Sequence, residues 1–151
     1  MKPFLLLATR ADDAPADAEY EAFLTRTGLR ERDLCRVRLE SEPMPDIDLD
    51  AYSGIMVGGS PFNTSTPEDV KSDTQRRVEA EFTALLDRVV AADFPFLGAC
   101  YGIGTLARHQ GAVIDATYAE EVGAPEITLT AAGLADPLCV GITPTFQAFV
   151  A

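Results

Sequence analysis

The chain has 151 residues, 47% of them hydrophobic and 24% charged, the make-up of one soluble globular domain with a core of its own. Its formal net charge of -12 repels phosphate backbones and anionic lipid, so neither nucleic acid nor membrane is an expected partner. The longest apolar run near the start, Phe4 to Ala8, is too short for a membrane span or a signal peptide, and a cytoplasmic location is expected. Cys35, Cys100 and Cys139 are odd in number and widely spaced, and His109 is the one histidine. Neither a disulfide framework nor a clustered metal site follows from such residues, and no metal or cofactor is expected.

Phe4 to Ala8 reads as a strand covered on both faces. Ala14 to Thr27 carries Tyr20, Phe23, Leu24 and Thr27 at helical spacing, with Gly28 as its stop. A strand follows over Leu34 to Leu39, then a loop broken by Pro43 and Pro45. Gly54 to Val57 is a third buried strand that runs into Gly58-Gly59-Ser60-Pro61. Pro67-Glu68-Asp69 has the composition of a first helical turn. In the long helix after it, Val78, Phe82, Leu85, Leu86, Val89 and Val90 form one apolar stripe. Pro95 resets the chain, and Phe94 to Ala99 reads as the fourth strand. Gly102 to Gln110 is helical up to Gly111, and Ala112 to Ile114 is a short strand. Further strands fall near Ile127 to Thr130 and Phe146 to Val150, with a loop at Asp136-Pro137 between them.

Alternating strands and helices predict an α/β domain, a mainly parallel open sheet with helices on both faces. No repeat or linker interrupts the sequence, so residues 1–151 read as a single domain. In open sheets of this kind ligands bind beyond the carboxyl ends of the strands. Two glycine-bearing turns fall at such ends, and the strands before them, Gly54 to Val57 and Phe94 to Ala99, are expected to be neighbours.

Gly98-Ala99-Cys100-Tyr101-Gly102 has the form G-x-C-x-G between a strand and a helix. A nucleophile on so sharp a turn needs small neighbours, since side chains at the flanking positions clash. Cys100 then sits at a helix N-terminus, where the dipole favours thiolate, and the Tyr101 N–H is placed to help hold an oxyanion. The same residues also suit a cysteine buried between packing glycines.

Phe96-Leu97-Gly98-Ala99-Cys100-Tyr101-Gly102 closely resembles the nucleophile elbow of class I glutamine amidotransferases, and Gln110-Gly111 matches the end of the helix after it. Val57-Gly58-Gly59-Ser60-Pro61 resembles the family's glycine-rich oxyanion loop. Glu121-Val122-Gly123 and Phe146-Gln147-Ala148-Phe149 resemble the stretches leading to the family's histidine. The resemblance implies a flavodoxin-like fold and a small-molecule amide substrate, glutamine. Cys100 would form a thioester and release ammonia to an acceptor or a synthetase partner. Gly58, Gly59 and Tyr101 would line the substrate site, the N–H groups of Gly59 and Tyr101 holding the oxyanion.

Two departures qualify that expectation. The family's substrate-touching glutamine, four residues after the cysteine, is here Gly104, and Ile103 precedes it. The family's His-x-Glu motif follows a strand like Thr145 to Val150, while this sequence stops at Ala151, so the catalytic chain is expected to be C-terminally incomplete. His109 is no substitute: nine residues along one helix places it about 13 Å from Cys100, and it is expected on the surface of the last turn. Cys35 and Cys139 read as structural, and Glu120-Glu121 as a solvated loop. Two other functional readings fit: a cysteine hydrolase or redox-responsive protein of this fold with another substrate, and a regulatory domain without turnover.

Overall fold

A computed structural model describes residues 2–115, 117 and 121–150. They form two compact units, Met1–Ile114 and Asp115–Ala151.

The first unit is built on four parallel strands in the order β2-β1-β3-β4. These are β1 (Phe4–Ala8), β2 (Leu34–Arg38), β3 (Gly54–Val57) and β4 (Phe96–Gly98). Between β1 and β2 runs α1 (Asp13–Thr27); α2 (Asp73–Ala91) joins β3 to β4, and α3 (Tyr101–His109) follows β4. The chain steps from β1 to β2 on one side and returns to place β3 on the other, so the strand order reverses between β1 and β3. That is the topological switch at which such sheets bind ligands.

Period-two alternation splits the apolar strands between two cores. Leu5, Leu7, Ile55 and Val57 pack with Val78, Phe82, Leu85, Leu86 and Val89 of α2 and with Tyr101 of α3. Leu6, Leu34 and Met56 pack with Leu24, Tyr20 and Phe23 of α1 on the opposite face. Helices on both faces therefore cover the sheet, as the continuous apolar runs require. Phe82 is fully buried, with its ring 6.2 Å from that of Tyr101 in an edge-on arrangement; truncating such a ring costs about 3–5 kcal/mol. The stripe of α2 is narrower than its sequence suggests, because Val90 is exposed.

The boundaries have local causes. Gly28 adopts φ 68°, the left-handed conformation that stops α1 one residue after Thr27. Ser72 caps α2, its hydroxyl accepting from the Gln75 N–H at 3.1 Å. The Pro67-Glu68-Asp69 stretch opens a single 3-10 turn, Glu68–Val70. After α2 the Phe94 N–H still donates to Val89 O at 3.0 Å, and Asp93 takes a positive φ of 48°. The chain is still leaving the helix there, so β4 begins at Phe96 rather than Phe94. Ala112 to Ile114 is not a strand: it pairs with nothing, and Val113 is exposed.

The second unit holds β5 (Glu126–Thr128), the short helix α4 (Ala131–Ala135) and β6 (Thr145–Gln147). β5 and β6 pair antiparallel with Ile127 opposite Phe146, and a single bridge joins Gly123 to Val150. Both strands are shorter than expected and form a ribbon separate from the parallel sheet. Asp136-Pro137 is more than a loop: Asp136 Oδ1 accepts from the Leu138 N–H at 2.8 Å and starts a 3-10 turn, Pro137–Cys139. No helix among the described residues is long and apolar enough to cross a membrane.

Candidate active site

Register puts the two glycine turns side by side. β3 and β4 pair with Val57 opposite Gly98, and both chains then leave the sheet at the same edge. The Ala99 N–H donates to Val57 O at 2.9 Å, which extends the pairing one step beyond the strand.

At the next residue the chain turns back sharply. Cys100 has φ 52° and ψ -105°, a conformation that a residue with a Cβ adopts only at a cost of about 1–3 kcal/mol. Cys100 caps α3, and its side chain is exposed. The flanking glycines are explained by contact. A Cβ on Gly98 would lie 2.5 Å from the carbonyl carbon of Gly102, and one on Gly102 would lie 2.9 Å from both Cβ and O of Val57. The two glycines face each other across the turn, and the second also presses on the end of β3. Cys100 is thus a strained, exposed residue on a sharp strand-to-helix elbow and not a thiol packed in a core.

Tyr101 begins α3 with its backbone at the elbow and its ring buried between Phe62 and Phe82. Burial, with the nearby Glu79 carboxylate adding to it, pushes the phenol up to about 12. The hydroxyl has no hydrogen-bond partner among the described residues. What Tyr101 can offer a reacting group is therefore its backbone N–H.

The Gly58–Gly59 turn is held by groups from the β1–α1 segment. The Gly59 N–H donates to Glu19 Oε1 at 2.8 Å, and the same oxygen accepts from Arg10 Nε at 3.1 Å. The Gly59 carbonyl accepts from the buried Thr9 hydroxyl at 3.3 Å. A Cβ on Gly58 would collide with the Glu19 carboxylate, and one on Gly59 would lie 2.6 Å from Arg10 Nη2. Glycine is needed at both positions because an ion pair lies on the turn. Sequence reasoning missed Thr9, Arg10 and Glu19; the available signal was the place of Thr9 and Arg10 just past the carboxyl end of β1, at the switch point, while Glu19 on α1 carried none.

Gly104, one helical turn beyond Cys100, faces Thr64. A Cβ there would sit 2.6 Å from Thr64 Oγ1, so the threonine fills the space a longer side chain would need. His109 ends α3, far from the elbow. It is half-buried rather than a free surface residue, with Nε2 3.0 Å from Asp87 Oδ1 of α2 and Nδ1 2.7 Å from Gln110 Nε2. Its neighbours Arg108, Thr105, Glu79 and Asp87 line an open cavity of about 540 Å³ between α2 and α3. Cys35 is exposed on the outer strand β2 and Cys139 is half-buried. Glu121 is exposed, and Glu120 lies outside the described residues. Among the described residues no group of three or more His, Cys, Asp or Glu side chains could hold a metal ion.

No protein-family model matches the sequence, and no curated protein matches it. Solved structures do match in fold. The crystal structure of SMU.1228c superposes with a TM-score of 0.72 at 19% identity, over 97% of this chain and 59% of that one. A glutamine amidotransferase from Thermotoga maritima superposes with 0.71 at 16% identity, over 99% and 60% respectively. A glutamine amidotransferase from Methylobacillus flagellatus gives 0.69 at 19% identity, over 100% and 55%. This chain thus spans under two thirds of the length of each of these three structures. Along its own length it has the flavodoxin-like α/β fold of class I glutamine amidotransferases.

Proposed function

We propose that this chain carries the nucleophile of a cysteine amidase of the glutamine amidotransferase type. Cys100 Sγ attacks the side-chain amide carbon of glutamine, and the carbonyl electron pair moves to oxygen. As the tetrahedral adduct collapses, ammonia leaves with a proton and a thioester remains, which water hydrolyses to glutamate. The Tyr101 N–H and the glycine turn supply the oxyanion donors, each worth about 3 kcal/mol of barrier. An acceptor, on a synthetase partner, consumes the ammonia. The observation that carries this reading is the strained backbone of exposed Cys100 between Gly98 and Gly102, beside a second glycine turn.

The departing ammonia requires a proton donor, and general acid–base assistance contributes about 10²–10⁴-fold. His109 is tied to Asp87 at the far end of α3 and does not provide it. The 151-residue chain accordingly has a reactive thiol and negligible glutaminase turnover. Two measurements test this: ammonia release from glutamine, and mass-spectrometric mapping of labelling by iodoacetamide and by a glutamine-shaped diazoketone. Cys100 should label ahead of Cys35 and Cys139, the diazoketone widening its lead. Because Cys35 is also exposed, preferential labelling there would sink the nucleophile assignment. Rapid Cys100-dependent ammonia release would overturn the account of the base. The Thr64 side chain over Gly104 favours a second reading, an amide other than glutamine, which the diazoketone tests directly.

A further inference from the structure

The backbone of β3 alternates its donors between its two neighbours. The Ile55 N–H bonds to Pro95 O before β4, and the Gly58 N–H to Leu7 O of β1, at 2.9 and 3.4 Å. Continued two residues past the end of β3, the same alternation would turn the Gly59 N–H to the β4 side, where Cys100 stands. It bonds instead to Glu19 of α1, and α1 covers the sheet face opposite to that on which α3 packs. The carboxylate is firmly placed: its side chain is 12% exposed, Arg10 pairs with the bonded oxygen, and its other oxygen is buried without a partner.

From this geometry we propose that Glu19, clamped by Arg10, is a latch on the oxyanion loop. The inference rests on the glutaminase reading for its meaning. An amide already bonded to a carboxylate gives nothing to a second negative oxygen, and the carboxylate repels that oxygen as well. While the latch is closed Cys100 has one oxyanion donor, the Tyr101 N–H. Release of Glu19 lets the Gly59 amide turn to the β4 side and completes the pair. Arg10 and Glu19 are thus positioning residues, acting on the reaction through Gly59.

The test uses the 151-residue chain and an aldehyde, glutarate semialdehyde, which lacks the α-amine that would close on the aldehyde to a cyclic imine. Addition of Cys100 forms a C–S bond, moves the carbonyl electron pair to oxygen, and gives that oxygen the thiol proton. The resulting hemithioacetal needs the loop but no ammonia-protonating acid. Glu19→Gln keeps the shape of the side chain and removes its charge. We expect the adduct, measured by native mass spectrometry, to form about tenfold more tightly in Glu19→Gln, since a charge-assisted hydrogen bond no longer competes for Gly59. Iodoacetamide, whose reaction forms no oxyanion, should label Cys100 at similar rates in both forms. Equal or weaker adduct formation in Glu19→Gln overturns the latch. If Cys100 forms no adduct in either form, the glutaminase reading falls, and the latch is judged by Gly59 amide hydrogen exchange. Protection that Glu19→Ala lowers at Gly59 supports it; protection unchanged by Glu19→Ala refutes it.

Discussion

Replacing Cys100 by glycine and by alanine separates backbone strain from side-chain contact. The thiol is exposed, so both variants lose little packing. Alanine keeps the Cβ and with it the cost of φ 52°, ψ -105°, about 1–3 kcal/mol at such positions. Glycine is at ease at positive φ but loses about 0.5–1 kcal/mol more conformational entropy on folding. The difference leaves glycine the more stable variant by up to about 2.5 kcal/mol. For a chain of this size that is a rise in Tm of roughly 2–4 °C per kcal/mol. Urea and thermal unfolding of the two variants, followed by far-UV circular dichroism, give the comparison. At an ordinary N-cap glycine is already favoured over alanine by roughly 0.5–1 kcal/mol, and inside a helix the order reverses, so a gap above about 1 kcal/mol is what marks the strain. An alanine variant as stable as the glycine variant, or more so, would mean the turn is not strained and the elbow argument fails.

Gly98→Ala puts a methyl 2.5 Å from the Gly102 carbonyl carbon and should lower stability by at least about 1–3 kcal/mol; a urea midpoint unchanged from wild type would contradict the packing described. Gly104→Gln should destabilise through its 2.6 Å contact with Thr64 Oγ1, and Thr64→Gly should recover part of the loss. Strict additivity in that double-mutant cycle would show that the two residues do not compete for space. Tyr101→Phe removes a buried hydroxyl that has no partner, so at neutral pH it should leave stability within about 0.5 kcal/mol or raise it. In alkali the wild type should fall behind. Tyr101 keeps its proton up to about 12 when folded and loses it near 10 when unfolded. Its contribution is complete below pH 10 and disappears as pH rises from 10 through 12, a change on the order of 2 kcal/mol. Equal alkaline loss in wild type and Tyr101→Phe would contradict the burial of the phenol.

What the sequence disclosed follows from which interactions are local. The strands β1 and β3 were legible because both their faces are buried, which makes them continuous apolar runs. The elbow was legible because Gly98, Cys100 and Gly102 are required by one tight turn. The Gly58–Gly59 turn was found, but its cause was not. Arg10 and Glu19 reach it from 40 or more residues away in sequence, and a charged residue on α1 looks like any solvated one until the fold brings it to Gly59. A like distance hid Thr64 over Gly104, and 22 residues separate Asp87 from His109. Ala112 to Ile114 misled because three apolar residues in a row look like a strand whether or not a neighbour exists to pair with them. Asp93 was missed for the opposite reason: its positive φ shortens β4, and no composition signal marks it.

The pairing of β3 with β4 has a kinetic consequence. The glycines beside Cys100 make room for its positive-φ turn, and the turn is held by the Ala99 N–H on Val57 and by Gly102 pressed against the end of β3. Those contacts close a loop of some forty residues, and parallel pairing across such a loop forms slowly. We expect the cysteine to be bent into shape only once that pairing exists, late on the folding path. Relieving its strain with glycine should slow unfolding and leave the refolding rate where it was, a φ-value near zero at Cys100.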